Sequence, residues 1–322
     1  MIYRHVPVLL REVIDYLEPK PGENFIDCTL GGGGYTTEIA KRISSAGKVL
    51  AIDADEMAIN NYKLQIINYK FKNVILAHDN FGNLSKIVKE YWQYKNTKFD
   101  GIVFDLGLSS AQLEDECRGF SFQLDAPLDM AFGETENSTK KIINSYRQEE
   151  LEKIIKEYGE ERFAKSIARA IVSKRKRKEI STTKDLVEVI EGAVPSSYKN
   201  NNHRQGRARK IHFATKTFQA LRIATNNEIE NLEKALEQSL NLLKSGGRLA
   251  LISFHSLEDK IVKNFFKKET KECICPKGAP FCQCDHRPSL KILTKKIITA
   301  QESEKKENPR SRSAKLRVAI KI

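Results

Sequence analysis

The sequence predicts an α/β protein: a doubly wound, mostly parallel sheet that closes on an antiparallel pair of strands and carries an inserted all-helical domain. Three observations predict it. Apolar strand-like runs alternate with helical patterns from residue 24 to residue 106. The alternation then gives way to roughly a hundred residues with helical periodicity alone. It resumes after residue 216 and ends on two late strand-like runs, 290–298 and 315–321.

Taken in order, His5 to Leu17 reads as an amphipathic helix begun near Pro7, and 19–22 as a turn. Residues 24–30 form a short apolar run that ends near Asp27, followed by four glycines, Gly31 to Gly34, and a helical pattern over 35–43. A second strand over 48–53 ends on Asp53, and Asp55 caps the next helix. Residues 73–79 read as the third strand, 83–94 as the third helix and 98–106 as the fourth strand, which carries Asp105. Between Gln112 and Thr215 the patterns 138–146, 148–158, 160–174 and 183–194 are helical, and the polar, basic stretch 196–210 reads as a mobile loop. Residues 213–243 are helical with a break near Thr225 to Asn227. A fifth strand over 248–254, a helix over 257–268 and the two late strands complete the chain. The expected division is a discontinuous domain over 1–111 and 216–322 and a helical substrate-recognition domain over 112–215.

A strand, a glycine turn and a helix start make a nucleotide site, because glycine permits close backbone approach and the first helical N–H groups are free. Two ligands fit. A dinucleotide would use an acid about 20 residues on, where Asp53 stands. S-adenosylmethionine also wants a carboxylate for its ribose diol at the end of the second strand. Asp27 before the turn, Asp105 at the end of the fourth strand and Lys244-Ser-Gly-Gly-Arg-Leu249 before the fifth favour the methyl donor. So does the late antiparallel pair, since a dehydrogenase sheet would end parallel. Phe81 follows the third strand and would stack on adenine or join the core. Asp105 would face the cofactor ammonium or the substrate, or act as a cap. His255 follows the fifth strand as a proton relay or a plain strand-end residue.

Lys and Arg number 55 against 42 Asp and Glu, a net charge of +13. Three clusters carry much of it: 174–178, with Lys174, Arg175 and Arg177; 203–210, with Arg207 and Arg209; and 309–317. Such clustering points to a polyanionic partner. Arg118, Phe120 and Phe122 have the composition of a base-stacking patch or of a hydrophobic loop folded onto the insert. No run of about 18 apolar residues offers a membrane span, and the first residues lack a signal-peptide pattern, so a cytoplasmic location without membrane contact is expected. Of six cysteines, Cys28 and Cys117 stand alone. Cys273, Cys275, Cys282 and Cys284 are crowded, with His286 nearby. The paired C-x-C is not the usual C-x-x-C of a zinc knuckle and leaves a structural zinc site, free thiols on a loop and disulfides open, none on the expected catalytic edge.

Nine stretches, in order, resemble the bacterial 16S rRNA (cytosine-N4)-methyltransferase family: residues 5–10, 27–34, 105–112, 118–122, 127–130, 158–164, 217–223, 253–259 and 308–317. The resemblance implies a class I methyltransferase sheet that binds S-adenosylmethionine. It implies N4-methylation of a cytidine in the decoding centre of 16S rRNA, nucleotide 1402 in conventional rRNA numbering. It places Gly33, Gly34, Tyr35, Asp53, Phe81, Asp105 and Gln112 around the cofactor, beside Gly31. The partner implied is the small ribosomal subunit; the oligomeric state is open, a homodimer among the options. Methyl transfer to nitrogen needs no metal. The chain departs from the family at Tyr35, usually His, at Ala126 and Ala131 around the Pro127–Met130 motif, and at Phe213, usually Pro. Two other functions compete: an NAD-linked oxidoreductase, and an RNA-binding relative without catalysis.

Overall fold

The computed structural model describes residues 7–94, 98–133, 135, 138–200, 212–276 and 281–322. They divide into two compact units, one formed by 1–107 with 229–322 and the other by 108–228.

The first unit is a seven-stranded sheet with helices. In chain order it holds α1 (Leu10–Leu17), β1 (Asn24–Asp27), α2 (Gly34–Arg42), β2 (Lys48–Asp53), α3 (Glu56–Tyr69), β3 (Val74–His78), α4 (Leu84–Tyr91) and β4 (Phe99–Asp105). The helical unit contributes α5 (Ser110–Glu114), α6 (Thr139–Ser145), α7 (Gln148–Gly159), α8 (Ala164–Arg175), α9 (Thr183–Ala193), α10 (Ser196–Asn200) and α11 (Thr215–Asn226). The sheet unit then resumes with α12 (Glu228–Leu242), β5 (Leu243–Ser253), α13 (Ser256–Glu269), β6 (Leu290–Ile292), α14 (Glu302–Glu307) and β7 (Lys315–Lys321).

Strand order is β3-β2-β1-β4-β5-β7-β6. The first five strands are parallel, and β7 runs antiparallel to both β5 and β6. This is the doubly wound sheet with an antiparallel end that the sequence predicts. Buried parallel strands are apolar on both faces, and Val49 to Ile52 are all buried. Their period of two sorts alternate residues into opposite layers. Ile26, Leu50 and Phe104 enter one core with Leu84, Trp92 and Phe266. Phe25, Val49 and Val103 enter the other with Val13, Ile39 and Val318.

Two strands differ from expectation. β5 begins at Leu243 and runs through Gly246 and Gly247, expected to precede it, with a register shift against β4 between Phe99 and Gly101. β6 is three residues long, because Thr294 interrupts the ladder: its hydroxyl accepts the Val318 N–H at 2.9 Å. Pairing returns only at the Ile298–Leu316 bridge. Asp259 on α13 holds Arg317 at 2.8 Å and Lys315 at 3.3 Å, so part of the last basic run serves to pin α13 to β7.

The helical unit has its own core of Ile142, Leu151, Ile155, Ile167, Ile171, Leu186, Ile190 and Leu221. Its described boundaries, 108 and 228, enclose α11, whose buried Phe218 and Leu221 join this core. A Cβ at Gly159 of α7 would lie 2.6 Å from the Lys216 carbonyl, so the two helices meet at backbone distance there. Asn227 takes the left-handed conformation and ends α11, as the predicted break requires. The start of the expected mobile loop, 196–200, is instead helix α10, where the Tyr198 hydroxyl donates to Glu161 at 2.8 Å.

Candidate active site at the carboxyl edge of the sheet

Asp27 ends β1 and faces no solvent. One carboxylate oxygen accepts the Thr29 N–H at 3.1 Å, and the other accepts the Thr36 hydroxyl at 2.6 Å. Asp27 therefore braces the turn from both ends. The glycines of that turn have different reasons to be glycine. A Cβ on Gly33 would fall 2.0 Å from the Tyr62 ring, and one on Gly34 would fall 2.5 Å from Pro7. Their missing side chains make room for protein, so what they can offer a ligand is backbone. Gly31 is the open one: its φ is +49°, and a Cβ would meet nothing closer than the Thr29 carbonyl at 3.9 Å. Tyr35 is placed likewise. Its ring is buried, and its hydroxyl donates to the Val8 carbonyl, so only its backbone could meet a ligand.

Asp27 pairs with Ala51 on one side and Val103 on the other. Asp53 and Asp105 thus stand two residues farther along the flanking strands, at the point where strand order reverses. Open α/β sheets bind ligands there. Asp53 accepts the Gly31 N–H at 2.7 Å and the Asp55 N–H at 2.8 Å. Burial pushes its carboxyl up to about 6, against those two hydrogen bonds. Asp55, not Asp53, caps α3, accepting the Met57 N–H at 3.1 Å. The Asp105 N–H donates to the Thr29 hydroxyl at 2.7 Å, tying the end of β4 to the glycine turn. Its Oδ1 is buried and has no hydrogen-bond partner among the described residues. Burial, then the charges of Asp27 and Glu258, raise its carboxyl well above the usual range. Burial also lifts Asp27 to about 6. Three acids share one edge, and the unpaired oxygen is an acceptor. The edge fits a ligand that brings hydroxyl donors and positive charge, as S-adenosylmethionine does.

The remaining expected residues separate. Phe81 is half-buried, with its ring edge-on to Phe104 at 5.7 Å. His255 is the N-cap of α13: its Nδ1 accepts the Glu258 N–H at 3.4 Å, and the Glu258 carboxylate receives the Phe254 N–H at 2.8 Å. Its Nε2 is 3.0 Å from Glu258 Oε1 but makes no hydrogen bond among the described residues. Gln112 lies in the other unit, where its side chain accepts the Ser109 N–H at 2.9 Å in a capping box.

Among residues expected to meet RNA, two corrections concern the aromatic patch. Arg118 donates to the Ala131 and Phe132 carbonyls at 2.6 and 3.0 Å. Phe120 is buried and stacks on Phe132 at 5.7 Å. Both hold the helical unit together, so the folded-loop alternative is the observed one. Phe122 is half-buried, stacked on His212 at 4.6 Å. Arg175 is corrected likewise: it donates to the Ile143 and Tyr146 carbonyls and clamps α8 to the end of α6. Lys174 is half-buried and Arg177 exposed. Arg207 and Arg209 lie outside the described residues.

Three contributors went unremarked in the sequence. Thr29 links the glycine turn to Asp105, and Tyr62 fills the space that Gly33 vacates, its hydroxyl 2.8 Å from that of Thr37. Asp79 accepts from Asn80 N–H at 2.6 Å and from the Asn83 amide at 2.8 Å, bracing the turn that carries Phe81. A hydroxyl two residues after a strand-ending acid signals the first; nothing local signals Tyr62.

The sequence pattern of the MraW methylase family matches residues 2–322. The chain is 48 % identical, over 323 aligned residues covering all of both chains, to a Clostridium botulinum (strain Kyoto / Type A2) protein named ribosomal RNA small subunit methyltransferase H. Proteins of the same name are 48 % identical in Dehalococcoides mccartyi, across 99 % of this chain and 87 % of that one, and 47 % identical in Caldicellulosiruptor saccharolyticus, across all of both. With a match that spans the seven-stranded sheet and the helical unit alike, this chain belongs to the MraW methylase family.

Proposed function

We propose that this protein transfers the methyl group of S-adenosylmethionine to the exocyclic N4 amine of a cytidine in small-subunit ribosomal RNA, at nucleotide 1402. The observation that carries this reading is the full-length identity of 48 % to proteins named for small-subunit rRNA methylation. The acid edge supports the cofactor half of it. When bound, S-adenosylmethionine supplies an electrophilic methyl on a sulfonium.

The chain's own groups divide the work. Asp53 accepts from the ribose hydroxyls, through charge-assisted hydrogen bonds that are stronger than neutral ones. Gly31 leaves its side of the turn open to backbone approach. Phe81 offers an aromatic surface to adenine. Asp105 uses its unpaired Oδ1 to receive a positively charged or amine donor. The cytosine amine shares its lone pair with the ring, so it is a weak nucleophile until an acceptor holds its hydrogens. Asp105 lacks the Pro-Pro-aromatic sequence that aims such an acid at the base in DNA amino-methyltransferases, and its first role is to hold the cofactor. His255 caps α13 through Nδ1, and capping is its role in this reading.

The helical unit is the substrate-recognition domain in this reading. Lys174, Arg177, Arg207 and Arg209 supply phosphate contacts, and Phe122 with His212 supplies an aromatic surface. Among the described residues no helix is long and apolar enough to cross a membrane. The test is incubation of purified small subunits with methyl-labelled S-adenosylmethionine, then mass spectrometry of the nucleosides. N4-methylcytidine at one position is expected. Label on another atom would overturn the amine assignment, and no label in the rRNA would overturn the function.

A further inference from the structure

Between α13 and β6 the chain leaves the sheet, and its described residues there form neither helix nor strand. This excursion has little apolar anchorage, for Ile274 and Phe281 are exposed. It is tied at its ends. The Ser289 N–H and hydroxyl reach Glu269 at 2.8 and 2.7 Å, and His286 Nε2 lies 3.1 Å from the Lys268 carbonyl. What gathers its middle is sulfur.

Cys282 Sγ is 3.6 Å from both Cys273 Sγ and Cys284 Sγ, and Cys284 Sγ is 3.7 Å from Cys273 Sγ. Cys275 completes the group, with all four sulfurs within 4.8 Å of one another. A disulfide would bring sulfurs to about 2.05 Å, and these are free thiols. A zinc ion bound at about 2.3 Å by four thiolates sits in a tetrahedron whose edges are about 3.8 Å. The three measured edges are close to that length. Iron–sulfur clusters share their thiolates among several irons and spread them wider. Backbone N–H groups also point at the sulfurs: Ile274 to Cys284 at 3.4 Å, Cys275 to Cys273 at 3.4 Å and Gln283 to Cys275 at 3.3 Å. Such donors stabilise thiolates and orient them as ligands.

We propose that Cys273, Cys275, Cys282 and Cys284 bind one zinc ion in a closed tetrahedral site that folds this excursion. Binding displaces the thiol protons, and with four protein ligands no position remains for substrate or water, so the ion is structural. The two C-x-C pairs replace the commoner C-x-x-C spacing.

The test uses the full chain, purified under reducing conditions without chelator. Elemental analysis should find one zinc per chain. Replacing it with cobalt(II) should give the thiolate-to-cobalt charge-transfer and tetrahedral d–d absorption of a four-sulfur site. C273S/C282S should lose the zinc and both absorptions, while C117S, at an isolated exposed cysteine, should keep them. Chelation of the metal should expose the excursion to protease and leave the sheet intact. Should the double variant fail to fold, the cobalt spectrum of the native chain decides alone. A native protein that is free of zinc and gives no such absorption with cobalt, a stoichiometric iron in place of zinc, or disulfides among the four cysteines would each overturn the proposal.

Discussion

Gly33→Ala separates a glycine kept for packing from one kept for a ligand. Gly33 has φ +76°, and the new Cβ would stand 2.0 and 2.1 Å from two ring carbons of fully buried Tyr62. The backbone conformation alone costs about 1–2 kcal/mol for a residue with a side chain. Forcing a buried ring aside adds about 1–3 kcal/mol. Loss of roughly 2–5 kcal/mol is expected in urea unfolding of the ligand-free protein. In Gly33→Ala/Tyr62→Ala the clash disappears but the backbone strain remains, so the two substitutions should couple by about 1–3 kcal/mol. Gly31→Ala provides the contrast. Its Cβ meets no atom nearer than 3.9 Å, so stability should fall by only the backbone cost, about 1–2 kcal/mol, while affinity for S-adenosylhomocysteine drops. A Gly33→Ala protein of unchanged stability but weakened ligand affinity would refute the packing argument.

Other substitutions and conditions test the rest of the edge. Asp105→Asn should weaken S-adenosylhomocysteine binding by about 1.5–3 kcal/mol in calorimetry; unchanged affinity with kcat down a hundredfold, about 2.7 kcal/mol, would instead put Asp105 on the target amine. Burial holds the Asp53 carboxyl at about 6, and a ligand that prefers the ionised form must lower that value. Affinity should therefore be full above about pH 6 and weaken by up to about tenfold per unit as pH falls further, with proton release on binding; buffer-independent binding heats at pH 6 would contradict this. His255→Asn keeps a good N-cap, so stability should change by under about 0.5 kcal/mol and turnover by no more than a few-fold; a large loss of kcat in a stable protein would restore the relay. Arg177→Ala should reduce the log–log salt slope of RNA binding by roughly 0.7–0.9 without destabilising the fold. Arg175→Ala should lower stability, because it releases the Ile143 and Tyr146 carbonyls; equal effects on the salt slope would refute the distinction.

The sequence by itself determined the sheet, its antiparallel end and the strand-end acids. Apolar runs with a period of two and helical runs with a period of 3.6 follow from backbone geometry within a few residues. For the same reason Asp55 was legible as a cap and Asn227 as a break. Asp53 and Asp105 were legible as strand-end acids, while the strand order that sets them on either side of Asp27 came only with the pairing of the folded sheet. What only tertiary structure decided depends on partners distant in the chain. Whether Gly33 faces a ligand or Tyr62 is a matter of where α3 lies. Arg118 and Phe120 look like an RNA patch until Ala131 and Phe132 are folded against them. Arg175 reads as one charge in a basic run, yet it is spent on carbonyls 29 and 32 residues away. Thr294 shortens β6 through a hydroxyl that takes a ladder N–H from Val318. The four cysteines were visible as a cluster, but their mutual distances, which decide between thiols, disulfides and a metal, exist only once the chain is folded. A side chain's type is written in the sequence; the atom it meets is set by which elements the hydrophobic cores bring together.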